Sequence, residues 1–201
     1  MVVAPRAMFP HKTVAVGGTF DILHYGHERL LARAFELGET VFVGISGDRL
    51  VSRLDKNHPV RSFRTRESVL KRFLRAHGWL QRARIVELKD PFGPAAKRRR
   101  LEALVVSKST LPSGRRANSI RRGRRLPLLR LYAVPLVKAE DGVPISVTRI
   151  RRGEIDARGR RLKCSSTSAR EDLRTCFATR ASSERARSRT RRPSTSARAP
   201  A

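Results

Sequence analysis

The 201 residues suit one domain of ordinary size plus an extension, and 45 Lys and Arg against 17 Asp and Glu give a formal net charge of +28. The two cysteines, Cys164 and Cys176, are C-terminal and match no zinc spacing, which argues against a disulfide framework or a structural metal in the body. No apolar run approaches the roughly 18 residues of a membrane span, and residues 1–11, broken by Pro5 and Pro10, do not read as a secretory signal, so a soluble cytoplasmic protein is expected.

The charge supports two readings: a nucleic-acid or anionic-surface binder, or a protein of anionic small substrates made more basic by a tail. Aromatic residues are only 5% and show none of the close spacing of an RNA-binding sheet, so the second reading is preferred.

After the short N-terminal extension, residues 1–11, the body runs over 12–162. Val14, Ala15 and Val16 form a short apolar run that predicts a strand covered on both faces. Gly17 and Gly18 let the backbone turn sharply and approach a ligand closely. From His27 onward Leu30, Leu31, Ala34 and Phe35 recur at helical spacing, and Gly38 is placed to stop the helix. His24 and His27 therefore sit at a helix mouth, where free N–H groups favour a phosphate.

Thr40 to Ile45 reads as a second strand, and Ser46-Gly47-Asp48 as a turn capping a short helix through Leu50, Val51 and Leu54. A polar connector from Arg53 to Pro59 precedes a helix over Arg66 to Ala76, whose apolar face is Val69, Leu70, Phe73 and Leu74. Arg84 to Leu88 is a third strand, Asp90 to Pro94 a rigid loop, and Ala103 to Ser107 a fourth strand. A basic helix around Ala117 to Arg124 and a fifth strand, Leu128 to Val134, follow. This alternation predicts an α/β, Rossmann-like fold: a parallel five-stranded sheet with helices on both faces and ligands at the carboxyl ends of its strands.

Ser146 is a natural N-cap, with Thr148 and Arg149 in the first turn of the helix it starts; this is a second helix mouth suited to phosphate. Residues 163–201 are mostly Ser, Arg, Ala and Thr and are expected not to fold. Such a tail could hold RNA or an acidic partner, but the reading taken is a solvated extension. No acidic cluster for two-metal hydrolysis and no Gly-x-x-x-x-Gly-Lys-Ser/Thr loop is present, and the glycines do not fit a dinucleotide fingerprint. A phosphate nucleophile is already ionised near neutral pH, so positioning and charge stabilisation suffice and the histidines need not be acid or base.

Gly17-Gly18-Thr19-Phe20-Asp21 followed by His24-Tyr25-Gly26-His27 resembles the signature of the HxGH nucleotidyltransferase superfamily. Asp90 to Ala95, Leu104 to Lys108 with Thr110, Ala117-Asn118 with Arg121, Ala139 to Gly142 and Ile145 to Asp156 resemble the archaeal and eukaryotic type of phosphopantetheine adenylyltransferase, a match over roughly 12–160. The resemblance implies in-line transfer of AMP from ATP to 4'-phosphopantetheine, giving dephospho-coenzyme A and pyrophosphate. It implies that His24 and His27 contact the ATP phosphates and stabilise the transition state. It implies further that Gly17, Gly18, Thr19 and Phe20 line the nucleotide, and that Ser146, Thr148 and Arg149 hold the β- and γ-phosphates, bridged by Mg²⁺ with no protein metal site. Arg53, Lys56 and Arg66 are the candidates for the acceptor phosphate. The chain departs from the family pattern at Val147, where a second serine is usual, at Ser109 for glutamate and at Arg125 for glycine. The alternatives are another HxGH enzyme, of the glycerol-phosphate cytidylyltransferase or FAD synthetase type, and a non-enzymatic basic nucleic-acid-binding protein.

Overall fold

The computed structural model describes residues 9–53 and 59–162. Five strands, β1 (His11–Gly18), β2 (Gly38–Ser46), β3 (Ala83–Leu88), β4 (Ala103–Ser107) and β5 (Arg130–Val134), form one sheet of order β3-β2-β1-β4-β5. Every pairing is parallel, with Val14 opposite both Val41 and Ala103 at the centre. Chain order runs outward from β1 to β3 and then resumes beside β1 at β4. The carboxyl ends of β1 and β4 therefore flank the point where the order reverses, where open sheets of this kind take ligands.

The strand period of two sends alternate residues to opposite faces. Val14 and Val16 of β1, with Val41, Val43 and Val105, pack under α1 (Tyr25–Leu37) and α3 (Phe63–Ala76) through Leu31, Ala34, Phe35, Leu70 and Leu74. Ala15, Phe42, Leu104 and Val106 face the other way, toward α4 (Gly93–Lys97) and α5 (Leu111–Gly123) through Ala95 and Ala117, with Leu101 of the turn before β4 beside them. The expected two-sided α/β architecture is thus observed. Both faces of the central strands are buried, which is why these strands read as continuous apolar runs rather than alternating ones.

Several boundaries differ from expectation for local reasons. The basic helix begins at Leu111, six residues before Ala117. Pro112 falls in its first turn, where no donor is lost, and Gly114 is buried against Leu104, Val106 and Leu131, so the Pro-Ser-Gly run is helical rather than a loop. Asp90 accepts the N–H groups of Phe92 and Gly93 and starts α4 within the expected rigid loop. Gly38 does not end α1 in a left-handed turn: its backbone is already extended and begins β2, and a Cβ there would lie 2.8 Å from Val14 Cγ2. The helix of Arg66 starts at Phe63, capped by the Ser62 hydroxyl, and β5 starts at Arg130 rather than Leu128. Short helices α2 (Asp48–Val51) and α6 (Val147–Arg151) follow the turns expected to cap them. Leu54 and Lys56 of the connector, both cysteines and the tail lie outside the described residues.

Residues 137–162 form a satellite around Ala139, Ile145 and Ile155. Tyr25, the first residue of α1, donates its N–H to Ala157 O at 2.9 Å. Arg158 bonds Glu28 at 3.0 Å. These contacts hold the helix mouth of Ser146 against the helix mouth of His24.

Candidate active site

His24 is the N-cap of α1. Its Nδ1 accepts the Gly26 N–H at 3.1 Å, so the ring proton lies on Nε2, leaving a donor available for an anion. Burial pushes its pKa down to about 4, which keeps the ring neutral at physiological pH. His27, one turn on, stacks with it at 3.9 Å between centroids, and the Phe20 ring packs on His27 at 5.1 Å. Phe20 is fully buried, and its backbone is left-handed, at φ 51°. Gly17 and Gly18 do not form the expected sharp turn: both continue β1, and the left-handed residue is Phe20. The Phe20 ring lies so close to Gly18 that a Cβ there would meet it at 3.1 Å, so Gly18 supplies space rather than a turn. Thr19 is half-buried.

Asp21, 2% exposed, joins three parts of the site. Its Oδ1 accepts from the Arg61 N–H and Nε, at 3.0 and 3.2 Å, and its Oδ2 from Arg151 Nη2 at 2.8 Å. Burial alone would raise its pKa, but the bonds from Arg151 and Arg61 outweigh this and hold the carboxyl below its ordinary value. Neither Asp21 nor the two arginines stood out as site residues in the sequence. The available signal was an aspartate directly after the glycine loop and a second arginine two residues beyond Arg149.

Ser146 caps α6, its hydroxyl accepting the Arg149 N–H at 3.3 Å, with Thr148 half-buried in the first turn. The Arg149 guanidinium is engaged by Asp141 and by Glu154 at 2.9 Å, and it reaches the carbonyls of Val143 and Pro144. The Glu154 and Asp141 carboxylates raise its pKa. Of the two α6 arginines it is Arg151, through Asp21, that adjoins the glycine loop.

Arg66 is not available to a substrate phosphate. It is fully buried and donates to four oxygens: Arg61 O at 2.8 Å, Thr19 O at 2.9 Å, Ser46 O at 2.7 Å and Asp48 Oδ1 at 2.7 Å. It fixes the glycine loop to the end of β2. Arg53 is exposed, three residues beyond Leu50.

Two cavities open at the carboxyl end of the sheet. One, of about 190 Å³, is lined by Gly17, Gly18, His24, His27, Thr110 and Ile145 among others. The second, of about 230 Å³ and mostly apolar, lies on the α4–α5 face between Gly44, Leu50, Leu88, Phe92, Leu104 and Ala117. Gly17, Gly18 and Thr110 line both, so the two meet beside the histidines. Among the described residues no group of three or more His, Cys, Asp or Glu gathers as a metal cage. N–H donors and guanidinium groups surround the glycine loop, a donor set that fits phosphate and leaves a divalent cation to phosphate oxygens.

The cytidylyltransferase-like family model matches residues 15–153. The phosphopantetheine adenylyltransferase of Methanothermobacter thermautotrophicus is 41% identical over 153 residues, 76% of this chain and 91% of that protein. That of Methanopyrus kandleri is 40% identical over 152 residues, 76% and 94% of the two chains. Among solved structures, a protein of unknown function from Archaeoglobus fulgidus superposes with a TM-score of 0.55 at 29% identity, covering 61% of this chain and 88% of that one.

Proposed function

This chain belongs to the cytidylyltransferase-like family and, within it, to the phosphopantetheine adenylyltransferases, and from that premise we propose that it transfers AMP from ATP to 4'-phosphopantetheine, yielding dephospho-coenzyme A and pyrophosphate in coenzyme A biosynthesis. An ionised oxygen of the acceptor phosphate forms a bond to the α-phosphorus of ATP, and the bond from that phosphorus to the β-bridging oxygen breaks, releasing pyrophosphate. No proton has to move, because the nucleophile is already an anion and the leaving group departs as one.

The observation that carries this reading is the junction of the two cavities at Gly17, Gly18 and Thr110, with the histidine pair beside it. The cavity lined by the two histidines, Ser107 and Thr110 suits the nucleotide and the one on the α4–α5 face the pantetheine arm, so donor and acceptor phosphates meet at the glycine loop. His24, neutral with its proton on Nε2, donates to the α-phosphoryl oxygens as charge builds there, and His27 acts beside it. Both rings are held before the reaction, so no reorganisation is needed at the transition state. Ser146, Thr148 and Arg151 face the β- and γ-phosphates, while Arg149 braces the segment from Asp141 to Glu154. Mg²⁺, carried on the triphosphate, supplies further neutralisation of these phosphates. The acceptor phosphate is received by a cation of the connector after α2, Arg53 or Lys56. Among the described residues no helix is long and apolar enough to cross a membrane, and the reaction is assigned to the cytoplasm as part of this reading.

The test is pyrophosphate release with ATP or CTP against 4'-phosphopantetheine, glycerol phosphate and flavin mononucleotide. Turnover is expected only with ATP and 4'-phosphopantetheine; activity confined to CTP or to another acceptor refutes the assignment.

A further inference from the structure

At the end of the sheet opposite the cavities, two basic runs lie side by side. Lys97, Arg98, Arg99 and Arg100 are exposed from the end of α4 toward β4, and Arg122, Arg124 and Arg125 are exposed from the last turn of α5 toward β5. One buried arginine holds the runs together. Arg121, fully buried, donates to Ala95 O at 2.9 Å just before the first run, to Arg98 O at 3.0 Å within it, and to Pro127 O at 2.6 Å beyond the second. The two turns are therefore a rigid unit.

Most of the charge at this surface has no carboxylate partner. Lys97 is paired with Asp90, and Arg98 lies over the Phe42 ring at 4.3 Å. Among the described residues the other arginines of the two runs form no ion pair with a carboxylate. Arg125 holds a left-handed backbone, φ 53°, a conformation that favours glycine, yet it carries a cation into this patch. Six of the seven cations are arginines, whose planar fork matches phosphate oxygens in pairs.

The exposed large apolar side chains among the described residues are Leu128, Leu136, Val143 and Leu162, none of them aromatic. Only Leu128 adjoins the patch in sequence. The surface thus has no platform for stacking unpaired bases and no apolar face to enter a bilayer. Phosphates at fixed spacing, read without their bases, are what a double helix presents.

We propose that the surface built by residues 97–100 and 122–125 binds the phosphate backbone of double-helical nucleic acid, independently of sequence. It is separated from the nucleotide site by the length of β4, five residues or about 16 Å at roughly 3.3 Å per residue. Binding and adenylyl transfer can therefore be separated by substitution.

The test uses the full chain and a short labelled RNA duplex, with affinity followed by fluorescence anisotropy over a range of salt. A variant with Arg99→Gln, Arg100→Gln, Arg124→Gln and Arg125→Gly removes four charges. A control with Arg64→Gln, Arg72→Gln, Arg75→Gln and Arg84→Gln removes the same number of exposed charges elsewhere. The patch variant is expected to bind at least about tenfold more weakly, with its log–log salt slope shallower by about 3 to 4, while the control changes far less and pyrophosphate release is retained in both. Equal losses in the two variants, or unchanged binding in the patch variant, overturn the proposal. Tighter wild-type binding to single-stranded RNA or to anionic vesicles than to the duplex also overturns it. Should the quadruple variant lose turnover, the two paired variants, one for each run, are read instead, each lowering the slope by about 2.

Discussion

Replacing Arg66 separates a strut from a substrate ligand. In Arg66→Met the stem of the side chain is kept and the guanidinium removed. Three carbonyls, those of Thr19, Ser46 and Arg61, lose a donor inside the protein, and Asp48 loses one of its two partners, keeping the Phe63 N–H. An unsatisfied buried polar group costs about 1–3 kcal/mol, but some of these carbonyls will recover water and Asp48 is well exposed. A net loss of about 3–5 kcal/mol is therefore expected, most of it from the three carbonyls. For a domain of this size that is a fall in Tm of about 6–20 °C. Urea denaturation and thermal melts measure the loss, and initial rates of pyrophosphate release under conditions where the variant is folded give the two KM values. The strut predicts a large stability loss with a displaced glycine loop, so that KM for ATP and KM for the acceptor both rise. A stability change below about 1 kcal/mol together with a rise in acceptor KM alone would refute the reasoning and return Arg66 to the acceptor site.

The protonation of His24 gives a second check. Its native pKa, about 4, lies below the ordinary 6.5, so keeping the ring neutral contributes stability that is complete above about pH 6.5 and lost as pH falls toward 4, in total about 3 kcal/mol. His24→Gln should flatten the stability profile in that window and cut turnover on the order of a hundredfold; an unchanged slope counts against the buried neutral ring. Asp21→Asn should lower stability by about 2–3 kcal/mol at neutral pH and raise KM for ATP, because Arg151 and Arg61 lose their shared anchor. The carboxylate's contribution is present above the ordinary Asp range and is lost as pH falls through its lowered pKa. The gap between Asp21→Asn and the wild type should therefore close in acid, and a constant gap speaks against an ionic role. Val147→Ser adds a hydroxyl at the first position of α6, where a bond to a charged phosphate contributes about 1.5 kcal/mol, so KM for ATP should fall roughly tenfold; no change would place that side chain away from the phosphates.

Alternation of apolar runs with helical patterns was enough to read all five strands and the coverage of both faces: burial leaves an unbroken apolar run in the central strands, and the edge strands β3 and β5 still carry short apolar segments despite their exposed charges. Caps were equally legible. His24 and Ser146 stand at helix mouths because their side chains satisfy N–H groups two and three residues ahead, a relation confined to neighbours in the chain. The helical start at Leu111 was hidden because Pro112 and Gly114 resemble loop residues until the packing against β4 and β5 is known.

What sequence alone determined, then, is whatever depends on local pattern: strands, helices, caps, the glycine loop and the histidine pair. Tertiary structure decided which cations are free to act. Sequence offered Arg66 as a candidate for the acceptor phosphate and Arg121 only as part of a family-like motif, yet both are fully buried and bound to carbonyls. Arg149 is engaged by Asp141 and Glu154, while Arg151 meets Asp21 across 130 positions of chain. The physical reason is that a guanidinium at the end of a long side chain takes the oxygen that folding brings to it, and such pairings join segments remote in sequence.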